Sequence, residues 1–443
     1  MIVVSREDGR FRHHIKGAPE VILALSDPLR TPDGTAPMND ADHRRIVDAY
    51  EAMASDGLRV IALASHLADS SEPQDQGAVF QGLVGLLDPP RPEVQAALRG
   101  AHLAGIRVMM ITGDSPVTAR AIASRLGMPA TTVIEGRDLD KCDDAELHRI
   151  LDGDPLFART RPEHKMRIVA ALQDLGHIAA MTGDGVNDAP ALKRADIGVA
   201  MGIRGTDVSR NAADLVLLDD NFATIVNAIA EGRRQFDNLR KFVRYLLSSN
   251  AGEVLAIVVN LLLGGPLIFL ATQILWMNLI TDSLTAAALG LEKSEGEQMR
   301  RPPRKPDEPI LGTKGILLIG MFGLYTGSAS LWIFYSLLPQ GESLARTAAF
   351  TAMVVFEKVS VFAFRSLTQP CTKIGWLSNP FLIAAFLFSL ALQVAAVYWP
   401  PLQTLLKTTG LDAGIWLTIL IFAMPLIVVP EGVKWLAGSR SKS

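Results

Sequence analysis

The pattern of apolar and polar positions changes near the middle of the chain. Up to about residue 240, short apolar runs alternate with stretches whose apolar positions recur at helical spacing; beyond it, apolar runs of about twenty residues dominate. Between about 87 and 235 the alternation reads as a parallel sheet with crossover helices. Ile106 to Ile111 predicts a strand, followed by Thr112-Gly113-Asp114 and a helix from about Pro116. His177 to Met181 predicts another, followed by Thr182-Gly183-Asp184-Gly185-Val186-Asn187-Asp188 and a helix near Ala189-Pro190. Further strands are expected at 196–201 and 214–218. The second half predicts six bilayer-spanning helices near 246–265, 267–291, 315–338, 347–364, 381–400 and 411–430, since a bilayer core takes about 20 largely apolar residues. Gly264-Gly265-Pro266 turns the first pair, and a proline-free helix around 222–247 runs into the first span.

Charge sharpens this division. The 443 residues carry a net charge of −3, but the first 240 hold 27 basic and 35 acidic side chains and the remainder 16 and 11. Half of the chain is apolar, which excludes a disordered protein, and the mild acidity gives no reason to expect nucleic acid as a partner. Two cysteines, Cys142 and Cys371, exclude a disulfide framework. No signal-peptide pattern follows Met1. Lys293, Arg300, Arg301, Arg304, Lys305 and Lys314 lie between spans two and three; Arg365 and Lys373 follow span four, and Lys434, Arg440 and Lys442 follow span six. The opposite loops carry only Arg346 and Lys407, so the positive-inside rule places the soluble half and the carboxy terminus in the cytoplasm.

Polar residues inside the apolar runs carry the next signal. Asn250 and Glu253 share a helix face in the first span, with Asn260 seven residues further; Asn278, Thr281 and Asp282 share one in the second; Glu357 lies in the fourth. Hydrogen bonding between helices would account for Asn260 or Thr281 alone. Membrane carboxylates are costly and mark ion or proton paths, so an ion site is the better reading. The donors are oxygens, which fits a hard cation such as calcium, and no sulfur or histidine among them favours copper or zinc. Lys358, adjacent to Glu357, stands ready to snorkel, to face another helix, or to neutralise a carboxylate.

The soluble half offers phosphate chemistry. Both Thr-Gly-Asp segments fall at the carboxyl ends of expected strands, where α/β sheets gather ligands. Glycine admits close backbone approach, and threonine hydroxyl and N–H groups donate to phosphate oxygens. Asp184 and Asp188 supply carboxylates for magnesium, and Lys165 supplies a cation for a transferring group.

Together MITGDSPVTARAIA, FARTRPEHK, MTGDGVNDAPALKRADIGVAMG and GTDVSRNAADLVLLDD resemble the phosphorylation domain of P-type ATPases, a branch of the haloacid dehalogenase fold. HIKGAPEVIL and GLRVIALA resemble their nucleotide-binding domain, and DPPRPEV at 88–94 the return to the phosphorylation domain. LSSNAGEV and LWMNLITDSLTAAALGLE resemble ion-binding helices of sarco/endoplasmic reticulum calcium pumps and their bacterial relatives. The resemblance implies an α/β haloacid-dehalogenase-like (Rossmannoid) domain at 87–235, a partial nucleotide-binding domain at 1–86, and an all-α six-helix transmembrane domain at 236–443. It implies ATP and Mg2+ as cofactors. By matching position, Lys16, Gly17 and Arg59 contact nucleotide; Thr112, Gly113 and Asp114 bind phosphoryl oxygens or nucleotide. Lys165 neutralises charge, Asp184 holds magnesium, and Asn187 and Asp188 orient it. Asn250, Glu253, Asn278, Thr281, Asp282 and Glu357 match cation ligands.

The Asp-Lys-Thr-Gly-Thr phosphorylation motif of that family does not occur; Asp140-Lys141-Cys142 is no match. The resemblance therefore implies the carboxy-terminal part of a cation pump, calcium first among the cations, unable to form a phosphoenzyme alone. The missing amino-terminal half is then a possible separate partner chain. Manganese, sodium/potassium and proton transport stand as alternatives, as do a dehalogenase-type membrane phosphatase and a non-catalytic pseudo-pump subunit. Asn278, where sodium/potassium pumps carry aspartate, favours calcium; Thr285 and Lys358 leave the stoichiometry open. In a bacterium the protein would lie in the plasma membrane.

Overall fold

Strands with alternating buried and exposed positions build the first sheet. In Arg10–Gly17 and Arg59–Ala68, Ile15, Ala62 and Ala64 point to one face, where Ile22, Leu23, Ile46 and Phe80 complete an apolar core. The computed structural model describes residues 1–7, 9–72, 77–86, 90–129, 132–305 and 307–440, the last three without side chains. Packing divides the chain into two units, Met1–Asn227 with Met299–Pro306, and Ala228–Gln298 with Asp307–Ser443. The segment 87–89, where Asp88-Pro89 open the expected return to a second domain, lies outside the described residues.

In the first unit, the six-stranded sheet runs in the order Ile2–Glu7, Arg10–Gly17, Arg59–Ala68, Ala78–Leu86, Ser26–Thr31, Gly34–Pro37. Only the pairing of Ser26–Thr31 with Ala78–Leu86 is parallel. Helix Asp40–Ser55 starts on a capping box in which Asn39 Oδ1 accepts the N–H groups of Ala41 and Asp42 at 2.9 Å. A three-stranded parallel sheet joins Leu215–Leu217, Ile197–Met201 and Ala180–Gly183, and a two-stranded one joins Thr132–Glu135 and Pro155–Ala158. Helices Pro92–Leu103, Pro116–Leu126 and Pro162–Asp174 all open on proline, whose fixed φ and missing N–H suit the first turn. Gly127 ends the second of these at φ 69°, the left-handed position that side chains resist.

The sequence reading needs correction at Ile106–Ile111. That segment forms no strand; only Ile111 bridges, in parallel, to Phe157. Thr112 N–H donates to the Phe157 carbonyl and Phe157 N–H to the Met110 carbonyl, but Pro155–Ala158 is only four residues long and the pairing extends no further back along the segment. The strand expected from His177 begins at Ala180, and those at 196–201 and 214–218 are Ile197–Met201 and Leu215–Leu217.

In the second unit, five helices among the described residues are long and apolar enough to cross a membrane: Phe222–Leu262, Gly312–Gln340, Glu342–Phe364, Pro380–Tyr398 and Ala413–Ala437. Glu342–Phe364 is the innermost, its side chains almost wholly buried among the others. Pro425, lacking an N–H, divides the last into Ala413–Ala423 and Pro425–Arg440. The segment expected to cross at 267–291 is not one regular helix. It consists of Ala271–Leu275, a π-helical stretch Trp276–Asp282, and Ser283–Gly290. The wide turn places the Asn278 carbonyl against the Ser283 hydroxyl at 2.9 Å, and single π turns of this kind gather at functional sites.

Candidate functional sites

In the first unit the second Thr-Gly-Asp segment folds around one carboxylate. Asp188 lies on a 3-10 turn, Val186–Asp188, separated from strand Ala180–Gly183 by Asp184 and Gly185, and its Oδ2 accepts the N–H groups of Asp184 (3.2 Å) and Gly185 (3.1 Å). Lys165, from helix Pro162–Asp174, donates to Oδ1 at 2.6 Å. Burial alone would raise the Asp188 carboxyl, but the ammonium and the two N–H groups outweigh it and hold the group below its ordinary range. A side chain at position 183 would place its Cβ 2.4 Å from that of Asp188, so glycine is required there. The Asp184 carbonyl accepts from Thr206 N (3.0 Å) and the Ser209 hydroxyl (3.1 Å), which fixes the loop from behind.

The Asp184 carboxylate is exposed and has no hydrogen-bond or ion-pair partner among the described residues; Asn187 is exposed beside it. One exposed carboxylate on a rigid loop suits magnesium, which retains water and shares its ligands with phosphate. The first Thr-Gly-Asp segment is pinned separately. The Thr112 carbonyl accepts from Thr160 N and Oγ1, and Asp114 N–H donates to Thr112 Oγ1 at 3.1 Å. Space around Gly113 is open. No hydrogen bond or ion pair joins this loop to Asp184, Asn187 or Lys165 among the described residues. His164 and Arg161 both bind Asp140, and they lower its pKa, the His164 contact most. Asp140 is thus a partner in a structural cluster. Gly17 pairs with Ala62, and alternation puts exposed Lys16 and Arg59 at one end of the six-stranded sheet, on the face opposite its core.

The second unit brings together most of the expected membrane side chains. Asn278 donates to Glu253 Oε2 at 2.8 Å. The Ser249 hydroxyl lies between Asp282 Oδ2, at 2.7 Å, and Glu357 Oε1. Glu253 lies four residues beyond Ser249 on the same face of its helix, the face that Glu357 meets through the Ser249 hydroxyl. Thr281 is buried and donates to its own helix at the Met277 carbonyl. Asn250 is half-buried and hydrogen-bonds to no described residue, and Asn260 is committed elsewhere, to Tyr335 and the Pro266 carbonyl. Sequence reasoning missed Ser249 and Tyr245. It flagged Lys358 without a partner; its ammonium is 2.6 Å from Asp282 Oδ1.

Two atoms decide what this cluster can hold. Glu253 Oε1 and Glu357 Oε2 are fully buried and accept no hydrogen bond. Adjacent buried carboxylate oxygens without donors are expensive unless a cation or protons meet them. Among the described residues no three His, Cys, Asp or Glu side chains form a metal-holding group; beside the two carboxylates stand the Asn278 amide and the Ser249 hydroxyl.

Two family models match the chain: "P-type ATPase, cytoplasmic domain N" over residues 1–93, and "Cation transporting ATPase, C-terminus" over 266–436. The chain is 41% identical to a calcium-transporting ATPase of Bacillus subtilis over 95% of its own length and 48% of that protein. It is 37% identical to the endoplasmic reticulum calcium ATPase srcA of Aspergillus fumigatus, over 98% of this chain and 50% of that one. A probable cation-transporting ATPase F of Mycobacterium tuberculosis is 38% identical over 94% and 47%. The chain spans about half the length of the curated relatives it matches. With its apolar helices and its two matched domains, the chain is a membrane protein that belongs to the P-type cation-transporting ATPases.

Proposed function

We propose that this chain provides the cation-binding helices and phosphate-handling loops of an ATP-driven pump that moves calcium out of the cytoplasm. The observation that carries the reading is the pair of unpartnered buried oxygens, Glu253 Oε1 and Glu357 Oε2, contributed by two apolar helices beside an irregular third. Broken helices at mid-membrane are where transporters place their ions. An all-oxygen donor set with two carboxylates suits a hard divalent cation. The names of the relatives, calcium-transporting ATPases, favour calcium over manganese, sodium/potassium or protons.

On this reading the region after about 87 is a phosphorylation domain of the haloacid dehalogenase type, and 271–290 is a sixth crossing. The cation-rich loops and the soluble half face the cytoplasm. Asp184 holds Mg2+, which would shield phosphate charge; Lys165 and Asp188 keep its loop in shape. Thr112, Gly113 and Asp114 approach phosphoryl oxygens, and Lys16, Gly17 and Arg59 contact the nucleotide of ATP. The chain has no Asp-Lys-Thr-Gly-Thr motif, so the phosphoryl-accepting aspartate is assigned to sequence other than these 443 residues.

Equilibrium binding of radiolabelled calcium to the chain in lipid nanodiscs tests the cation site. Saturable calcium binding that manganese and sodium compete weakly, and that Glu357→Gln weakens at least about tenfold, is the expected result. Absence of saturable binding, or binding that Glu357→Gln leaves intact, would overturn it.

A further inference from the structure

Lys358 holds a position that a transported ion would otherwise take. It is 1% exposed, on the innermost helix, and its ammonium reaches helix 271–290. An ammonium has three hydrogens to donate. All three have oxygen partners here: Asp282 Oδ1 at 2.6 Å, the Tyr245 hydroxyl at 3.1 Å and Thr285 Oγ1 at 3.1 Å. Tyr245 in turn bonds Thr285 at 3.0 Å and Asp282 at 3.3 Å. The lysine head is therefore enclosed in an oxygen shell of the kind that surrounds a bound cation, and its tether cannot leave.

The consequence for Asp282 is specific. Oδ1 is held by the ammonium, and Oδ2 faces the Ser249 hydroxyl, whose single hydrogen it shares with Glu357 Oε1. Among these three carboxylates, the oxygens with no hydrogen-bond partner belong to Glu253 and Glu357. Charge gives the same answer. Three buried carboxylates, Glu253, Asp282 and Glu357, face one buried ammonium, so that the three, once ionised to bind a cation, leave two negative charges. One divalent cation balances them; a second would leave two uncompensated positive charges at low dielectric, against one if the ammonium were absent, and each such charge is costly.

We propose that Lys358 is a built-in counter-cation which permanently fills the Asp282 position, so that the chain carries one divalent cation, bound between Glu253 and Glu357, where the oxygens present could otherwise hold two. The inference rests on the cation-site reading above and fixes its stoichiometry. Lys358 acts through Asp282 and is a positioning residue for the remaining site.

Calcium stoichiometry in nanodiscs tests it, with tryptophan emission confirming that each variant is folded; all six tryptophans lie between 276 and 435. The wild-type chain is expected to bind one calcium ion, Lys358→Met two, and Lys358→Arg one. The double variant Asp282→Asn with Lys358→Met removes the charged pair together, a neutral exchange that buried pairs tolerate, and should again bind one ion. Two ions on the wild-type chain, or one on Lys358→Met, would overturn the role given to Lys358 while leaving the cation site standing. Loss of binding in the double variant would overturn it too, because Asp282 would then be a direct ligand. No binding by the wild-type chain would instead remove the cation-site reading and this inference with it.

Discussion

The Lys165 ammonium and the Asp188 carboxylate meet at 2.6 Å, and the other oxygen of the same carboxylate takes the N–H groups of Asp184 and Gly185. One side chain thus fixes both the loop backbone and a neighbouring cation, and leaves the Asp184 carboxylate exposed for a ligand. Replacing Lys165 by Met leaves Asp188 with its backbone donors only. A hydrogen bond to a charged group contributes roughly 1.5–3 kcal/mol, so hydrogen exchange of the 182–189 amides should accelerate about ten- to a hundredfold. Mass-spectrometric exchange on the whole chain measures this; unchanged protection would show that the loop does not depend on the pair.

The same carboxylate makes the first unit acid-sensitive. Its pKa lies below the ordinary 3.8, because the Lys165 and N–H contacts outweigh burial. The folded form then binds protons less readily than the unfolded chain. Its stabilising contribution is complete above about pH 3.8 and fades as pH falls below that value, through the folded pKa. Asp188→Asn removes this dependence. Between pH 5 and pH 3, proteolytic susceptibility of the wild-type first unit should rise more steeply than that of Asp188→Asn, with the difference confined to the acid end.

Gly183 is predicted to be intolerant for a steric reason. The Cβ of an alanine would meet the Asp188 Cβ at 2.4 Å and its Cγ at 2.8 Å, and Asp188 is held on three sides. Overpacking of this kind costs roughly 1–3 kcal/mol and displaces the carboxylate that orders the loop. Gly183→Ala should lower the unfolding midpoint of the first unit and weaken binding of a fluorescent ATP analogue in the presence of Mg2+. Gly113→Ala, in open space, should leave the unfolding midpoint unchanged.

Much of this arrangement was legible in the sequence, for reasons that also mark where it stopped. Glu253, Asn278, Asp282 and Glu357 stood out because charge and amide groups are scarce in apolar runs and helical spacing puts them on faces. Which faces meet depends on how each helix is rotated, and spacing does not encode that. Ser249 carried no charge signal beside Asn250, yet it is the serine that lies between two carboxylates. Lys358 was visible, but its attachment to Asp282, 76 residues earlier, is a tertiary fact. The π stretch Trp276–Asp282 has no glycine or proline that would announce it in the sequence. In the first unit the loops around Asp114 and Asp184 were legible from their motifs. Ile106–Ile111 misled because an apolar run states what a segment would bury and not how much of a neighbouring strand pairs with it; Pro155–Ala158 bridges only to its Ile111 end.

The membrane cluster makes the most discriminating prediction. Glu253→Gln keeps an oxygen able to accept from Asn278, so the hydrogen bond at 2.8 Å survives while one negative charge is lost. With Lys358 in place, the cluster then carries one net negative charge where the wild-type has two. A divalent cation would sit there with excess positive charge, and each tenfold loss of affinity corresponds to about 1.4 kcal/mol. Calcium affinity should fall at least about tenfold in Glu253→Gln and in Glu357→Gln, while sodium competes better than in the wild-type chain, because a monovalent ion now balances the charge. Asn260→Ser serves as the contrast. That amide is occupied by Tyr335 and the Pro266 carbonyl, so its replacement should change helix packing and leave calcium affinity as it was. Isothermal titration of the three variants separates a charge effect at Glu253 and Glu357 from a general effect of altering a polar residue in the membrane. Equal losses in all three would mean that the cluster responds to packing and not to charge.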